Sequence, residues 1–382
     1  MKRFLAIRQD NNGDVTLVGP ALRALAAHGP VTLVCGPSGE GAARLLPAVD
    51  EVLVARADWI EGRPQPIDAA AIAEHVARYA ATRANEAFVF TSFHQSPLPT
   101  ALLLRLAGIS HIAAISVDYP GSLLDLRVCL DDDIHEVERA LALVGAAGYP
   151  LRAGDDGALA YRALPPRDHR LPARYVALQP GASVPARAWN TQKLHALVAR
   201  LRQRGEQIVL LGSVGERDRS RAIAGDSGAI DLTGTTTYAA FAAAIRDATA
   251  LVVGNSSGMH VAAAVGTPLV TIFPPTIPLV RFAPWHVPHV VLGDQTIACA
   301  GCRSRTCPLP GQPCTGCVEV DDVLAALAML QVRNTSGTFT APERPHARDS
   351  FGATADREPR ARLGAFEMQD ENETFAPSVV PA

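Results

Sequence analysis

The feature that most constrains this chain is an alternation that runs twice. Short, nearly continuous apolar segments are separated by amphipathic stretches of helical period, the pattern of parallel strands covered by helices on both faces. In the first run, strands are expected at 4–8, 31–35, 51–55, 87–91 and 112–117, with helices at 15–27 and about 42–46. In the second, strands fall at 175–179, 208–211, 251–253 and 269–273, with helices near 192–203, 216–224, 238–248 and 260–265. A last helix at about 321–330 closes the folded part. The Arg- and Pro-rich stretch from Leu164 to Pro172 interrupts the pattern and reads as a linker. At 382 residues the chain suits two α/β domains, 1–165 and 173–333, facing each other across a cleft. Residues 334–382 are rich in Pro, Glu, Arg, Ser and Thr without an apolar period, and a disordered tail is expected there.

Composition narrows the function by exclusion. A formal net charge of −3 gives no reason to expect nucleic acid as a partner. No stretch approaches the ~20 apolar residues of a spanning helix. The apolar run at Phe4–Ile7 is too short for a secretory signal and meets Arg8 and Asp10 at once, so a cytoplasmic enzyme is expected, with work at a membrane face left open.

Four strand-to-helix turns carry the candidate chemistry. The first is Arg8-Gln9-Asp10-Asn11-Asn12-Gly13-Asp14, at the carboxyl edge where open α/β sheets bind ligands. Its plain reading is Asp14 as a helix N-cap. The second is Pro180-Gly181-Ala182-Ser183 followed by Arg187, whose guanidinium suits diphosphate oxygens but also suits a solvated loop. The third is Gly212-Ser213-Val214-Gly215-Glu216, where a carboxylate can accept ribose hydroxyls or merely complement a helix dipole. The fourth is Gly254-Asn255-Ser256-Ser257-Gly258-Met259-His260. Small residues at a helix N-terminus make an anion site there, although such turns are generic to α/β proteins and a lone His is usually structural.

In this order and spacing the four segments, with Pro20-Ala21-Leu22-Arg23-Ala24-Leu25 and Asp231-Leu232-Thr233-Gly234, resemble glycosyltransferase family 9, the ADP-heptose:lipopolysaccharide heptosyltransferases, over about residues 3–330. The resemblance implies two Rossmann-like lobes of the GT-B type, acceptor on the first and nucleotide-sugar donor on the second. It implies inverting transfer of a sugar, a heptose from ADP-heptose, without a catalytic metal. It also implies Asp14 as general base; Ser183, Arg187, Ser256, Ser257, Gly258 and His260 around the diphosphate; and Glu216 on the ribose. Asn12, Gly13, His94, Gln95 and Ser96 fall on the acceptor side, the partner being a glycan or glycolipid, with peripheral membrane association allowed. Ser256 stands where the family carries Asp, and one residue rather than two separates Gly258 from His260. The stretch from Ser92 to Pro97 holds no Lys or Arg, which a strongly anionic lipopolysaccharide core would call for.

Five of the seven cysteines, Cys299, Cys302, Cys307, Cys314 and Cys317, crowd one Pro- and Gly-rich segment. Two Cys-x2-Cys pairs suit a structural zinc or iron held by thiolates, against the alternative of reduced thiols in a turn-rich loop. Related autotransporter heptosyltransferases carry an iron–cysteine finger. Two other functions fit the same scaffold: a sugar-nucleotide 2-epimerase and a non-catalytic sugar-nucleotide-binding protein.

Overall fold

Each strand-rich run folds into one six-stranded parallel sheet. The computed structural model describes residues 2–60, 66–130, 134–182 and 184–335. The first sheet is built from β1 (Phe4–Arg8), β2 (Val31–Cys35), β3 (Glu51–Val54), β4 (Glu86–Val89), β5 (His111–Ile115) and β6 (Leu126–Val128), in the order β3-β2-β1-β4-β5-β6. The second uses β7 (Val176–Gln179), β8 (Ile208–Leu210), β9 (Ile230–Asp231), β10 (Ala250–Gly254), β11 (Leu269–Ile272) and β12 (His289–Leu292), in the order β12-β11-β10-β7-β8-β9. Counted from its own first strand, each sheet has the doubly wound order 3-2-1-4-5-6, so each is a Rossmann-like lobe.

Alternation along β1 shows why these strands are apolar throughout. Phe4 and Ala6 pack into the core under one face of the sheet, Leu5 and Ile7 into the core under the other. Both faces are covered, so no polar alternation survives. The second lobe repeats this across β7, with Ala177 in one core and Val176 and Leu178 in the other.

The helix expected at 15–27 is two, Asn12–Leu17 and Gly19–Ala26. Pro20 lacks the N–H that an unbroken helix would bond to Thr16, and the chain breaks at Val18. Helices Ala69–Ala81, Leu98–Leu106 and Glu136–Ala146, and strands β6, β9 and β12, were not expected from the sequence. From 147 to 174 the chain runs without helix or strand, and the Leu164–Pro172 stretch lies within it. The expected tail lies outside the described residues from 336 onward. Among the described residues no helix is long and apolar enough to cross a membrane.

Both sheets belong to one compact unit, and the contacts between them are specific. Thr16 Oγ1 and Tyr161 Oη lie 2.6 Å apart, and Tyr161 Oη is 3.3 Å from Tyr238 Oη. His135 Nε2 lies 3.0 Å from the Ala283 carbonyl oxygen while its ring stacks on Trp285, whose Nε1 donates to Gly157 O at 2.9 Å. The largest core cluster joins Leu17, Leu45 and Val137 of the first lobe to the second.

Candidate active site

Each sheet reverses strand order between its first and fourth strands, β1/β4 and β7/β10, and ligands of open α/β sheets bind beyond the carboxyl ends at such points. Here the two reversal points face one cleft of about 570 Å³. The turn after β1 contributes Asp10–Asp14 to its lining, and the turn after β4 contributes Ser92–His94. Opposite them stand Ala182 and Arg187 after β7, Ser213 and Glu216 after β8, and Asn255–Ser257 with His260 after β10. Residues more than 240 positions apart in sequence thus share one wall-to-wall space.

On the first-lobe wall the controlling residue is Arg8, at the end of β1 and 2% exposed. Its Nη2 donates to Asp14 Oδ1 at 2.9 Å and to Ser92 Oγ at 3.1 Å; its Nε lies 3.0 Å from Asp10 Oδ2. Burial disfavours its charge, but Asp10, Asp14 and Glu136 outweigh that and hold the guanidinium above its ordinary pKa. Asp10 is pushed up, first by burial and then by Asp14, against the opposing pull of Arg8. Gln95 Nε2 donates to Asp10 Oδ1 at 2.7 Å, fixing that carboxylate from behind.

The structure corrects the cap reading of Asp14. The N-cap of the Asn12–Leu17 helix is Asn11, whose side chain accepts from Gly13 N at 2.9 Å. Asp14 is the third helical residue, with one carboxylate oxygen on Arg8. An Asn in extended conformation two residues before Gly13 caps as well as Asp would, and that leaves Asp14 for the cleft. Asn12 is committed elsewhere, its Oδ1 accepting from Ala42 N at 2.8 Å. Gly13 lets the two lobes touch: a Cβ there would lie 3.0 Å from His260 Cδ2 and 3.4 Å from Ser257 Cα.

The second-lobe wall presents hydrogen-bonding groups with no partner inside the protein. The Ser257–Val265 helix has Ser256 at its N-cap, yet the Ser256 side chain makes no cap bond; its hydroxyl donates to Gln179 Oε1 at 2.9 Å, and Met259 N donates to the Ser256 carbonyl at 3.2 Å. Among the described residues Arg187 Nε, Asn255 Nδ2 and His260 Nδ1 are buried and unpartnered, as is Glu216 Oε1. Burial lowers the pKa of Arg187, with Arg305 adding to the effect and Asp14 opposing it from across the cleft. His260 is pushed down to about 4 by burial, so its ring is neutral at pH 7. Glu216 takes the helix-start role weighed for it with one carboxylate oxygen. Its Oε2 accepts from Ser213 N at 2.6 Å and Ser213 Oγ at 2.7 Å as a capping box, leaving Oε1 over Gly181. A Cβ at 181 would meet that oxygen at 1.7 Å, so a larger residue there would have to displace the Glu216 carboxylate.

Of the residues singled out in the sequence, Asn12, Gly13, Asp14, His94, Arg187, Glu216, Ser256, Ser257 and His260 line the cleft together. Gln95 acts through Asp10, and Ser96 Oγ accepts from Leu98 N at 3.4 Å in the turn before the Leu98–Leu106 helix; neither is in the lining. Gly258 packs beneath it, where a Cβ would strike Gln179 Oε1 at 2.0 Å. Ser183 lies outside the described residues. Arg8 was named only as the first residue of its turn, and Glu136, Gln179 and Tyr238 were given no role in the sequence.

Among the described residues no group of three liganding side chains that could hold a metal ion is found, Cys299, Cys302, Cys307, Cys314 and Cys317 included. Cys314 is buried beside Thr315, with Cys307 and Cys299 as electrostatic neighbours, while Cys302 and Cys317 are exposed. Backbone bonds fix the segment to the second lobe: Arg303 N donates to Thr276 O at 3.0 Å, and Ala186 N to Arg305 O at 3.0 Å. The Arg303 guanidinium sits 4.6 Å from the Phe93 ring and, after burial, is the main group lowering the pKa of His94. The cation missing from the Ser92–Pro97 stretch therefore arrives from a segment about 200 residues later.

The comparisons agree with this geometry. The structure of the Escherichia coli ADP-heptose lipopolysaccharide heptosyltransferase II superposes with a TM-score of 0.68 at 20% identity, covering 88% of this chain and 100% of that one. E. coli heptosyltransferase WaaC with ADP gives 0.62 at 18% identity, covering 87% and 98%. The iron-containing dodecameric glycosyltransferase TibC from enterotoxigenic E. coli gives 0.51 at 15%, covering 87% and 76%. At such identities these likenesses show the fold, the two-lobed GT-B architecture. No curated protein matches in sequence. The family model described as glycosyltransferase family 9 (heptosyltransferase) matches residues 91–312, well over half the chain. That span holds the reversal point of the second sheet and the whole second-lobe wall of the cleft, and with it the chain belongs to glycosyltransferase family 9 and is a glycosyltransferase.

Proposed function

We propose that the enzyme transfers a heptose from ADP-heptose to a hydroxyl of a glycan or glycolipid acceptor, inverting the anomeric centre, with Asp14 as general base. One observation carries the donor assignment. Among the described residues Arg187 Nε and Asn255 Nδ2 are donors without partners, His260 Nδ1 is a ring nitrogen without one, Glu216 Oε1 is an acceptor without one, and the Ser257–Val265 helix starts without a side-chain cap, all on a single wall. Several donors and one carboxylate suit an anionic diphosphate joined to a diol-bearing ribose. The adenine and heptose assignments rest on the family and on the named donors of the E. coli structures.

The reaction then follows from which wall holds what. The acceptor oxygen attacks the anomeric carbon from the first-lobe side, and its proton passes to the Asp14 carboxylate. The bond from that carbon to the diphosphate breaks, its electron pair leaving with ADP on the second-lobe side. Attack and departure on opposite faces invert the centre. Arg187 and the helix N-terminus meet the charge that builds on the leaving group, so the step as written requires no divalent ion. The enzyme is placed in the cytoplasm, where a glycolipid acceptor would be met at a membrane face.

Calorimetry with ADP tests the wall, and transfer from ADP-heptose to heptose-deficient lipopolysaccharide tests the reaction. Arg187→Ala should weaken ADP binding at least about tenfold, the range expected for losing a charge-assisted contact. An unchanged ADP affinity in Arg187→Ala would remove the diphosphate from this wall, and a product of retained anomeric configuration would refute inversion.

A further inference from the structure

Behind Asp14 runs a buried chain of charges that the transfer reaction does not by itself explain. Arg8, which holds Asp14, also faces Glu136: Nη1 lies 3.9 Å from Glu136 Oε2, an electrostatic contact rather than a hydrogen bond. Glu136 Oε1 in turn is 3.3 Å from Arg281 Nη1 and 3.4 Å from Arg139 Nε. Glu136 and Arg139 belong to the Glu136–Ala146 helix of the first lobe, while Arg281 comes from the short Leu279–Phe282 helix of the second. Glu136 is 4% exposed and Arg281 2%, so these charges compensate one another rather than solvent. The second lobe therefore places a cation three ion-pair links away from the proposed base.

We infer that Glu136 and Arg281 are positioning residues for transfer, setting through Arg8 how tightly the Asp14 carboxylate is held. The inference rests on the reading of Asp14 as base. A guanidinium given wholly to Asp14 would fix that carboxylate firmly and leave it a poor proton acceptor. Glu136 draws part of the Arg8 charge away, and Arg281 limits how much it draws. The other charged or titratable groups facing Asp14 are Asp10 beside it, His94 from the turn after β4 and Arg187 from the opposite wall. All of them remain in the variants below. Because these groups interact, the acid limb of the rate profile reports the cluster rather than one residue.

The signs differ between the two residues, and this separates positioning from mere support. Removing the Glu136 charge leaves Arg8 to the remaining carboxylates, so they ionise at lower pH. Removing the Arg281 charge lets Glu136 compete for Arg8, so they ionise at higher pH. The experiment follows ADP release from ADP-heptose, with water or heptose-deficient lipopolysaccharide as acceptor, between pH 4 and 9. In Glu136→Gln the acid limb should move down by about half a pH unit or more, and in Arg281→Gln up by a similar amount. In both, kcat should fall roughly tenfold while the donor KM stays within about twofold, the mark of a transition-state rather than a binding effect. Limbs that stay in place, or move in the same direction, overturn the inference.

Arg281→Gln strands a buried carboxylate and can unfold the protein, which circular dichroism would show. The double variant Glu136→Gln/Arg281→Gln removes the charges as a pair; its acid limb should return to that of the parent with kcat still reduced. Parental kcat in the double variant overturns the inference. Asp14→Asn separates the two levels. If it transfers sugar normally, the base assignment fails and the inference with it; if it is inactive while neither limb moves, positioning alone fails. A parent enzyme that releases no ADP overturns both.

Discussion

Asp14 meets the cleft with one oxygen held by Arg8 and the helix start already capped by Asn11, so its two earlier readings can be separated by a single substitution. Asn at position 14 keeps an oxygen for Arg8 but cannot take a proton. We expect Asp14→Asn to fold, to bind ADP as the parent does in calorimetry, and to lose about 10²–10⁴-fold in transfer rate, the usual contribution of a general base. Near-parental turnover would move the search to Asp10, whose carboxyl burial already pushes up, or to His94. That Asp14, Glu216 and Arg187 line the cleft was legible in the sequence because each follows a strand by a few residues, where the chain must turn at the sheet edge. Arg8 was named as the first residue of its turn but given no role, since it ends a strand and reads as the last residue of an apolar run. Nothing local tells that it faces Glu136, 128 positions later. Gln179 was missed for the same reason: it ends β7 and acts by taking the Ser256 hydroxyl that would otherwise cap the donor helix.

At the level of elements, strands were easier to read than helices. A two-sided parallel strand announces itself by a short apolar run, whereas Gly19-Pro20 inside an apolar helical stretch required weighing a missing N–H against a persistent period. The Glu136–Ala146 helix passed unnoticed because its N-cap is His135, a residue type that is not a usual capping signal. Val137 N donates to His135 Nδ1 at 3.2 Å, and the Glu138 carboxylate accepts from His135 N at 3.2 Å. For this Nδ1 to accept, the proton must sit on Nε2, which donates to Ala283 O in the other lobe. Burial holds His135 down to about 3, and His260 to about 4. Unfolded histidines take a proton near pH 6.5, so between that value and 3–4 the unfolded chain binds more protons than the fold. Stability should therefore fall as pH drops below about 6.5, by up to ~1.4 kcal/mol per pH unit for each histidine. His135→Asn can still cap the helix but cannot titrate. Its melting temperature should be lower than the parent's at pH 7 and decline less steeply towards pH 5; an equally steep decline would place the acid sensitivity elsewhere.

For the whole molecule, the sequence made the lobes look more independent than they are. A Pro-rich break between two repeated patterns suggests two bodies on a hinge, but partners across the break cannot be read from period or composition. Trp285 donates to Gly157, His135 reaches Ala283, Arg281 reaches Glu136, and Thr16 meets Tyr238 through Tyr161. One apolar cluster draws Leu17, Leu45, Val137 and Leu159 together with Phe241, Met259 and Phe282. Each of these residues is less than a tenth exposed, so separating the lobes would uncover apolar surface and strand a buried charge at once. The lobes should then melt together. Scanning calorimetry is expected to give one transition whose calorimetric and van't Hoff enthalpies agree. ADP at about 100 times its Kd should move that whole transition upward, as ~2.7 kcal/mol of binding linkage requires. The alternative outcome has a distinct form: two transitions, with ADP raising only one of them. Because the donor wall lies almost entirely on the second lobe, that result would mean nucleotide binding is felt there alone, and that the charges joining Arg281 to Glu136 do not tie the lobes together.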